Sequence, residues 1–254
     1  METKVTRLTI EGIRKTYVTK KTGEIQVIED VSFEVYDNEF LVILGPGHCG
    51  KTVLLNIVAG LEAPTAGLTR LDGNEVKGTD PRVGLVFQKY ALMPWKTVME
   101  NVGFPLKLRG LKKKDYHAKA QKYIDLVGLT GFEKAYPHQL SGGMKQRVGI
   151  ARAYCIEPEI LIMDEPFGQL DAQTRYAMQE EIARMWLEDK RTIVYVTNNI
   201  EEAIFLGDRI VLLTECPASV KDIYEVDLPR PRDMVHPDFL ELRRLISENT
   251  DLAI

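Results

Sequence analysis

Short apolar runs alternate with stretches of helical periodicity along most of this chain. Leu8–Ile13, Gln26–Tyr36 and Phe40–Leu44 are rich in β-branched and aromatic residues, and turn formers at Gly23 and Asp37-Asn38 separate them, so three strands are predicted. The period then changes. From Lys51 to Leu61 the apolar residues Leu54, Leu55, Val58 and Leu61 share a helical face, with Gly60 and Pro64 marking the expected helix end. Tyr90 to Pro158 reads as mostly helical, and strand character returns at Ile160–Met163, Thr192–Thr197 and Arg209–Thr214. This alternation predicts an α/β fold built round a largely parallel sheet, interrupted by a helical insert.

At 254 residues, 44% hydrophobic and 28% charged, the chain can bury a substantial core as one large domain or two small ones. Its longest apolar runs, such as Phe40–Leu44, Ile160–Met163 and Ile210–Leu213, fall far short of the roughly 18 residues of a spanning helix. The start, METKVTRLTIEG, has no apolar stretch of about 7–15 residues behind its charges, so no secretory leader is expected and a cytoplasmic location is. Three cysteines, Cys49, Cys155 and Cys216, without CxxC spacing predict reduced thiols rather than a disulfide framework or a zinc site. A formal net charge of −4 argues against a dedicated nucleic-acid binder, and Lys112-Lys113-Lys114 reads as a solvated helix start.

Three motifs carry chemistry. Gly45-Pro46-Gly47-His48-Cys49-Gly50-Lys51-Thr52 satisfies G-x-x-x-x-G-K-[ST] at a strand-to-helix junction, the context of a phosphate-binding P-loop. A glycine-containing turn lets backbone N–H groups approach phosphate oxygens, the helix N-terminus adds partial positive charge, Lys51 adds a full one, and Thr52 is the expected magnesium ligand. Ile160-Leu161-Ile162-Met163-Asp164-Glu165 is a continuous apolar run, as in a strand buried on both faces, ending in two acids. Ligands sit beyond the carboxyl ends of parallel strands, so Asp164 is expected at the metal and Glu165 at the water that attacks the γ-phosphate. Alone, such a pair also fits a turn. In Leu140-Ser141-Gly142-Gly143-Met144-Lys145-Gln146-Arg147, Ser141 is a good N-cap and the two glycines permit close backbone approach, making a second anion-ready helix start.

This third motif closely resembles the signature sequence of ABC ATPases, and it lies between the other two in the order that family uses. The resemblance runs from about Tyr17 onward. It implies a P-loop core with a mostly parallel sheet, an N-terminal antiparallel β subdomain and an inserted helical subdomain. A single domain over 1–254 would then divide into a core of 1–88 with 159–254 and an insert of 89–158. It also implies ATP and Mg2+ as cofactors. Gly45, Pro46, Gly47, His48, Cys49, Gly50, Lys51, Thr52 and Val53 would hold phosphates, and Thr52, Gln88 and Asp164 the metal. The implied assembly is a head-to-tail dimer, in which the P-loop faces Ser141, Gly142 and Gly143 of a second ATP-binding subunit. That dimer would sit on the cytoplasmic face of a membrane permease, supplied by an extracytoplasmic substrate-binding protein, with no nucleic acid involved.

Further positions match the family residue by residue. Tyr17 resembles the aromatic that stacks on adenine, although a core or surface tyrosine fits equally. Gln88 in Val86-Phe87-Gln88 resembles the glutamine that touches metal or water, and Asp171 the aspartate that communicates across the dimer. Tyr90 to Trp95 resembles the region under the permease, while Met93 and Trp95 also fit a core. The tail Asp227-Leu228-Pro229-Arg230-Pro231-Arg232-Asp233, followed by a helix-like Asp238–Leu242, looks like that of nitrate, sulfonate, taurine or bicarbonate importers. The sequence stops soon after, so the regulatory domain of many sugar and methionine importers is not expected.

Two departures bear on turnover. Thr197-Asn198-Asn199 stands where the family usually has Thr-His-Asp, and asparagine donates a hydrogen bond but cannot become cationic. His48 stands where glycine is common, so it is strained if its φ is positive, or else its imidazolium assists phosphate binding. Asn198 and Glu165 with Gln88 are the catalytic candidates. Two alternatives stand beside the importer reading: a slow or degenerate subunit of a heterodimeric ATPase, and a soluble ABC ATPase without a permease.

Overall fold

The computed structural model describes residues 5–19 and 23–250; the first four residues of the segment read for a leader lie outside it. In chain order the elements are β1 (Thr6–Thr19), β2 (Gly23–Tyr36), β3 (Phe40–Leu44), α1 (Lys51–Val58), β4 (Ala66–Leu71), β5 (Asn74–Glu75), β6 (Val83–Val86), α2 (Val98–Leu108), α3 (Lys113–Leu126), a 3-10 turn (Pro137–Gln139), α4 (Gly142–Cys155), β7 (Ile160–Asp164), α5 (Ala172–Glu188), β8 (Thr192–Thr197), α6 (Ile200–Leu206), β9 (Arg209–Leu213), β10 (Ala218–Glu225) and α7 (Pro237–Asn249). They fall into two compact units, one running to Asp80 and resuming at Arg191, the other Pro81–Lys190.

In the first unit the strands lie in the order β5-β4-β1-β2-β10-β9-β3-β8. Burial separates two kinds of strand. Along β2, Ile28, Val31, Phe33 and Val35 are buried between exposed neighbours, the alternation of an antiparallel sheet with one wet face. By contrast β3 and β8 are buried at every position and pair in parallel, as strands covered on both sides must be. Each fully buried Leu, Ile or Val there contributes about 1.5–3 kcal/mol relative to exposure. The antiparallel partners of β1 are β2 and β4, which together form the expected N-terminal β subdomain.

In the second unit β6 and β7 pair in parallel, and α2 and α3 pack against α4. Lys112, Lys113 and Lys114 are exposed at the start of α3, as expected of a solvated helix start.

Two expectations need correction. Helix α1 ends at Val58 rather than Leu61, because Gly60 turns left-handed at φ 69° and approaches Gly78 so closely that a Cβ would lie 2.0 Å from its carbonyl oxygen. Strands β4, β5, β6 and β10 were not foreseen: β5 and β6 are short, and β10 is polar along most of its length. Their hydrogen bonds come from tertiary partners, which local pattern does not reveal.

Candidate functional site

The glycine-rich turn of 45–50 leaves the buried end of β3 and feeds α1. Gly50 N-caps the helix at φ 105°, and a Cβ there would meet Val27 Cγ1 at 2.9 Å, so only glycine fits. No side chain caps α1 and no acid sits in its first turn, whereas Thr97, Ser141, Asp171 and Asn199 cap α2, α4, α5 and α6. A bare helix start of this kind presents N–H groups to an anion. Lys51 is 4% exposed and folds back into the turn, donating from Nζ to the carbonyls of Gly45 (2.9 Å) and Pro46 (2.6 Å). Cys49 is buried in the same turn, and burial pushes its thiol up, so it is a packing residue here. Gly47 has open space where a side chain would be, and His48 takes φ 63°, the strained alternative of the two expected from sequence.

Parallel pairing brings Asn198 to the same turn. Leu44 and Thr197 are register partners, and the Gly45 amide donates to the Thr197 carbonyl at 3.4 Å. Asn198 is exposed, while its neighbour Asn199 caps α6 by accepting from the Glu202 amide at 2.8 Å. Tyr17, half-buried on β1, donates its hydroxyl to Glu62 at 2.6 Å, and Lys15 Nζ lies 4.9 Å from its ring centroid. Burial and the Glu62 carboxylate push the phenol up to about 12, and the Tyr17 hydroxyl and Lys15 hold Glu62 below its ordinary range.

The second unit holds the acids. Val86 and Met163 are partners at the ends of β6 and β7, so Gln88 and Glu165 emerge side by side, and Gln88 Nε2 donates to Glu165 Oε2 at 3.3 Å. Asp164 is buried at 9% exposure and Glu165 is half-buried with φ 39°, an unfavourable backbone for a residue with a side chain. Ser141 caps α4 by accepting from the Met144 amide at 3.3 Å. A Cβ on Gly143 would lie 2.7 Å from Thr174 Cγ2, and Asp171 holds Thr174 by accepting from its amide (3.0 Å) and hydroxyl (2.7 Å). Those bonds hold the Asp171 carboxyl below its ordinary range. The starts of α4 and α5 are thus packed together beside a groove of about 480 Å³ lined by Ser141, Gly143 and Met144.

Of the two readings for Trp95, the structure excludes a core position. Buried Asn101 ties the loop together, donating to the carbonyls of Met93 (3.2 Å), Lys96 (3.0 Å) and Thr97 (3.0 Å), and Trp95 is left 71% exposed. Met93 is half-buried in the same loop.

Among the described residues no cluster of three or more His, Cys, Asp or Glu could cage a metal ion. The side chains of Thr52, Gln88 and Asp164 each carry an oxygen donor of the kind a magnesium ion takes. Sequence reasoning missed Arg152, which donates to the carbonyls of Ala91 (2.7 Å) and Tyr90 (3.3 Å) just after Gln88. The available signal was a pair of glycines, Gly142 and Gly149, seven residues apart on one face of a helix that also carries this arginine.

Comparison with known proteins agrees with this geometry. Residues 28–168 match the family model described as ABC transporter. The chain is 49% identical to an uncharacterized ABC transporter ATP-binding protein of Methanocaldococcus jannaschii over 94% of its own length and 90% of the relative's. It is 40% identical to the aliphatic sulfonates import ATP-binding protein SsuB of Bacillus cereus, over 94% of each chain. Among solved structures, the dimeric post-hydrolysis state of the ATP-binding cassette MJ0796 bound to ADP and Pi matches with a TM-score of 0.76 and 30% identity. That match covers 86% of this chain and 98% of the other.

Proposed function

Because this chain belongs to the ABC transporter family, we propose that it is the ATP-binding and ATP-hydrolysing subunit of a membrane importer for a small anion such as a sulfonate, taurine, nitrate or bicarbonate. The observation that carries this reading is the bare N-terminus of α1 under a glycine turn that already encloses the Lys51 ammonium. The 40% identity to a protein of aliphatic sulfonates import supports the anion class.

In this reading residues 45–53 grip the phosphates, and Tyr17 faces the adenine. Ser141, Gly142, Gly143 and Asp171 serve the site of a second ATP-binding subunit. The dimeric relative bound to ADP and Pi supports that arrangement. Thr52, Gln88 and Asp164 would hold magnesium, which would neutralise phosphate charge. Glu165 aims the attacking water at the γ-phosphorus and takes its proton as the O–P bond forms; the bond to the ADP oxygen breaks, ADP and inorganic phosphate leave, and the proton passes to solvent. Asn198 donates to the γ-phosphate without adding charge. Residues 89–158 act as the helical insert that meets the permease, with Trp95 on its exposed side. No helix among the described residues is long and apolar enough to cross a membrane; in this reading the permease holds the chain at the cytoplasmic face.

Co-purification with transport tests this. The tagged chain should extract from membranes with an integral membrane protein, and vesicles holding that complex should take up a labelled aliphatic sulfonate or another small anion only with ATP. A chain that hydrolyses ATP at full rate but brings down no membrane protein would overturn the importer reading.

A further inference from the structure

We propose that Arg152 is a positioning residue for hydrolysis, clamping the turn that follows Gln88 onto α4 and so holding the Gln88 amide against Glu165. The inference rests on the ATPase reading above and adds a residue to it.

Arg152 is half-buried in α4, and among the described residues it pairs with no carboxylate. Its guanidinium instead takes two successive main-chain carbonyls, Tyr90 and Ala91. A fork of rigid N–H donors is suited to fixing the direction of two acceptors together. What it fixes is an unfavourable turn: Ala91 has φ 47°, a conformation that persists in a residue with a side chain only when its surroundings impose it. Upstream of that turn, only two residues from Tyr90, Gln88 Nε2 reaches Glu165 Oε2 at 3.3 Å.

The helix is shaped to receive the turn. Gly142, Gln146 and Gly149 share one face of α4, and both glycines meet Tyr90. A Cβ on Gly142 would lie 3.0 Å from the Tyr90 hydroxyl, and one on Gly149 would lie 3.6 Å from the Tyr90 carbonyl oxygen. Gln146, between them, is fully buried with neither amide atom hydrogen-bonded among the described residues. Among the described residues, the directional hold of this face on the turn comes from the two Arg152 bonds. The same helix begins at Ser141, which makes α4 a rigid link between the signature residues and the Gln88–Glu165 pair.

The test uses the full chain with Arg152→Met and Arg152→Lys, alone and combined with Gln88→Ala. Misplacing a reacting group by about 1 Å costs up to about 100-fold, so Arg152→Met is expected to lower kcat by about 10- to 100-fold with KM for MgATP unchanged. Arg152→Lys, which keeps the charge but not the fork, should recover only part of the rate. With Gln88→Ala already present, Arg152→Met should cost nothing further, which a general loss of structure would not reproduce. Amide hydrogen exchange should quicken at residues 88–92 in both Arg152 variants. An unchanged kcat, a full further loss on the Gln88→Ala background, or unchanged exchange at 88–92 would overturn the proposal. If Arg152→Met does not fold, Arg152→Lys gives the same decision. Absence of MgATP turnover in the unmodified chain would sink the ATPase reading instead, and exchange at 88–92 would still decide whether Arg152 holds the turn.

Discussion

Lys51 Nζ lies 2.6 Å from the carbonyl oxygen of Pro46, five residues earlier in the chain, so the main chain of the turn itself holds the cation. The turn is therefore shaped in part by its own lysine. A phosphate oxygen that takes the ammonium gains a charge-assisted bond, each worth about 1.5–3 kcal/mol. Lys51→Met should accordingly raise the dissociation constant for MgATP by about 10- to 100-fold and lower the thermal midpoint, because the Gly45 and Pro46 carbonyls lose their donor. Isothermal titration and a melting scan check both; unchanged affinity would remove Lys51 from the binding machinery.

Tyr17 carries a pH signature. Its phenol is raised to about 12 by burial and by the Glu62 carboxylate, against an ordinary value near 10. The folded state keeps this proton while the unfolded chain releases it. The stabilisation is therefore complete below about pH 10 and is lost as pH rises toward 12. In a phenolate absorbance titration, the difference between the parent and Tyr17→Phe should appear near pH 12 and move toward 10 in Glu62→Gln. A Tyr17 signal already near 10 in the parent would contradict the Glu62 bond.

Asn198 sits one residue beyond Thr197, whose carbonyl accepts from Gly45. Replacing it with a group that can carry charge should accelerate turnover. Asn198→His is expected to raise kcat by about tenfold, less than the roughly 100-fold or more of a full acid–base group, with the gain greatest below the imidazole's ordinary value near 6.5. No gain at any pH, with ATP affinity retained, would show that the asparagine does not limit the rate.

Arg232 gives the tail a structural role. It is 7% exposed and donates to the carbonyls of Ile204 (2.7 Å), Phe205 (3.2 Å), Gly207 and Val226 (3.1 Å), capping the C-terminal end of α6. Truncation removes their shared donor, at about 1–3 kcal/mol for each oxygen that stays buried and unpaired, here taken as one or two of them. Arg232→Met should destabilise the chain by about 2–4 kcal/mol in urea unfolding, without changing MgATP affinity in the folded protein. A loss below about 1 kcal/mol would mean water replaces the guanidinium.

The legible parts of this protein were those whose function is written in local chemistry. The turn of 45–52 announces itself because a glycine turn, a lysine and a hydroxyl must be adjacent in sequence to act on one phosphate. Strands β3 and β8 were readable because burial on both faces demands uninterrupted apolar residues. Strand β4 was not, since Ala66-Gly67-Leu68 has little strand preference and is held by β1, 52 to 63 residues earlier. The same limit hid Arg152 and Arg232, whose carbonyl partners are fixed by folding and, apart from the Gly142 and Gly149 pair on α4, leave no residue-type signature. Ser141 was read correctly as a cap, because capping is a contact between residues three apart.

The central claim is that this chain binds MgATP and that Glu165 turns it over. Steady-state hydrolysis and equilibrium MgATP binding, measured on the parent chain and on Glu165→Gln, test it most directly. Retained binding with kcat lowered by at least about 100-fold is predicted, because the amide cannot serve as the base that aims the water. Equal turnover in both proteins, or no binding in either at millimolar MgATP, would contradict it.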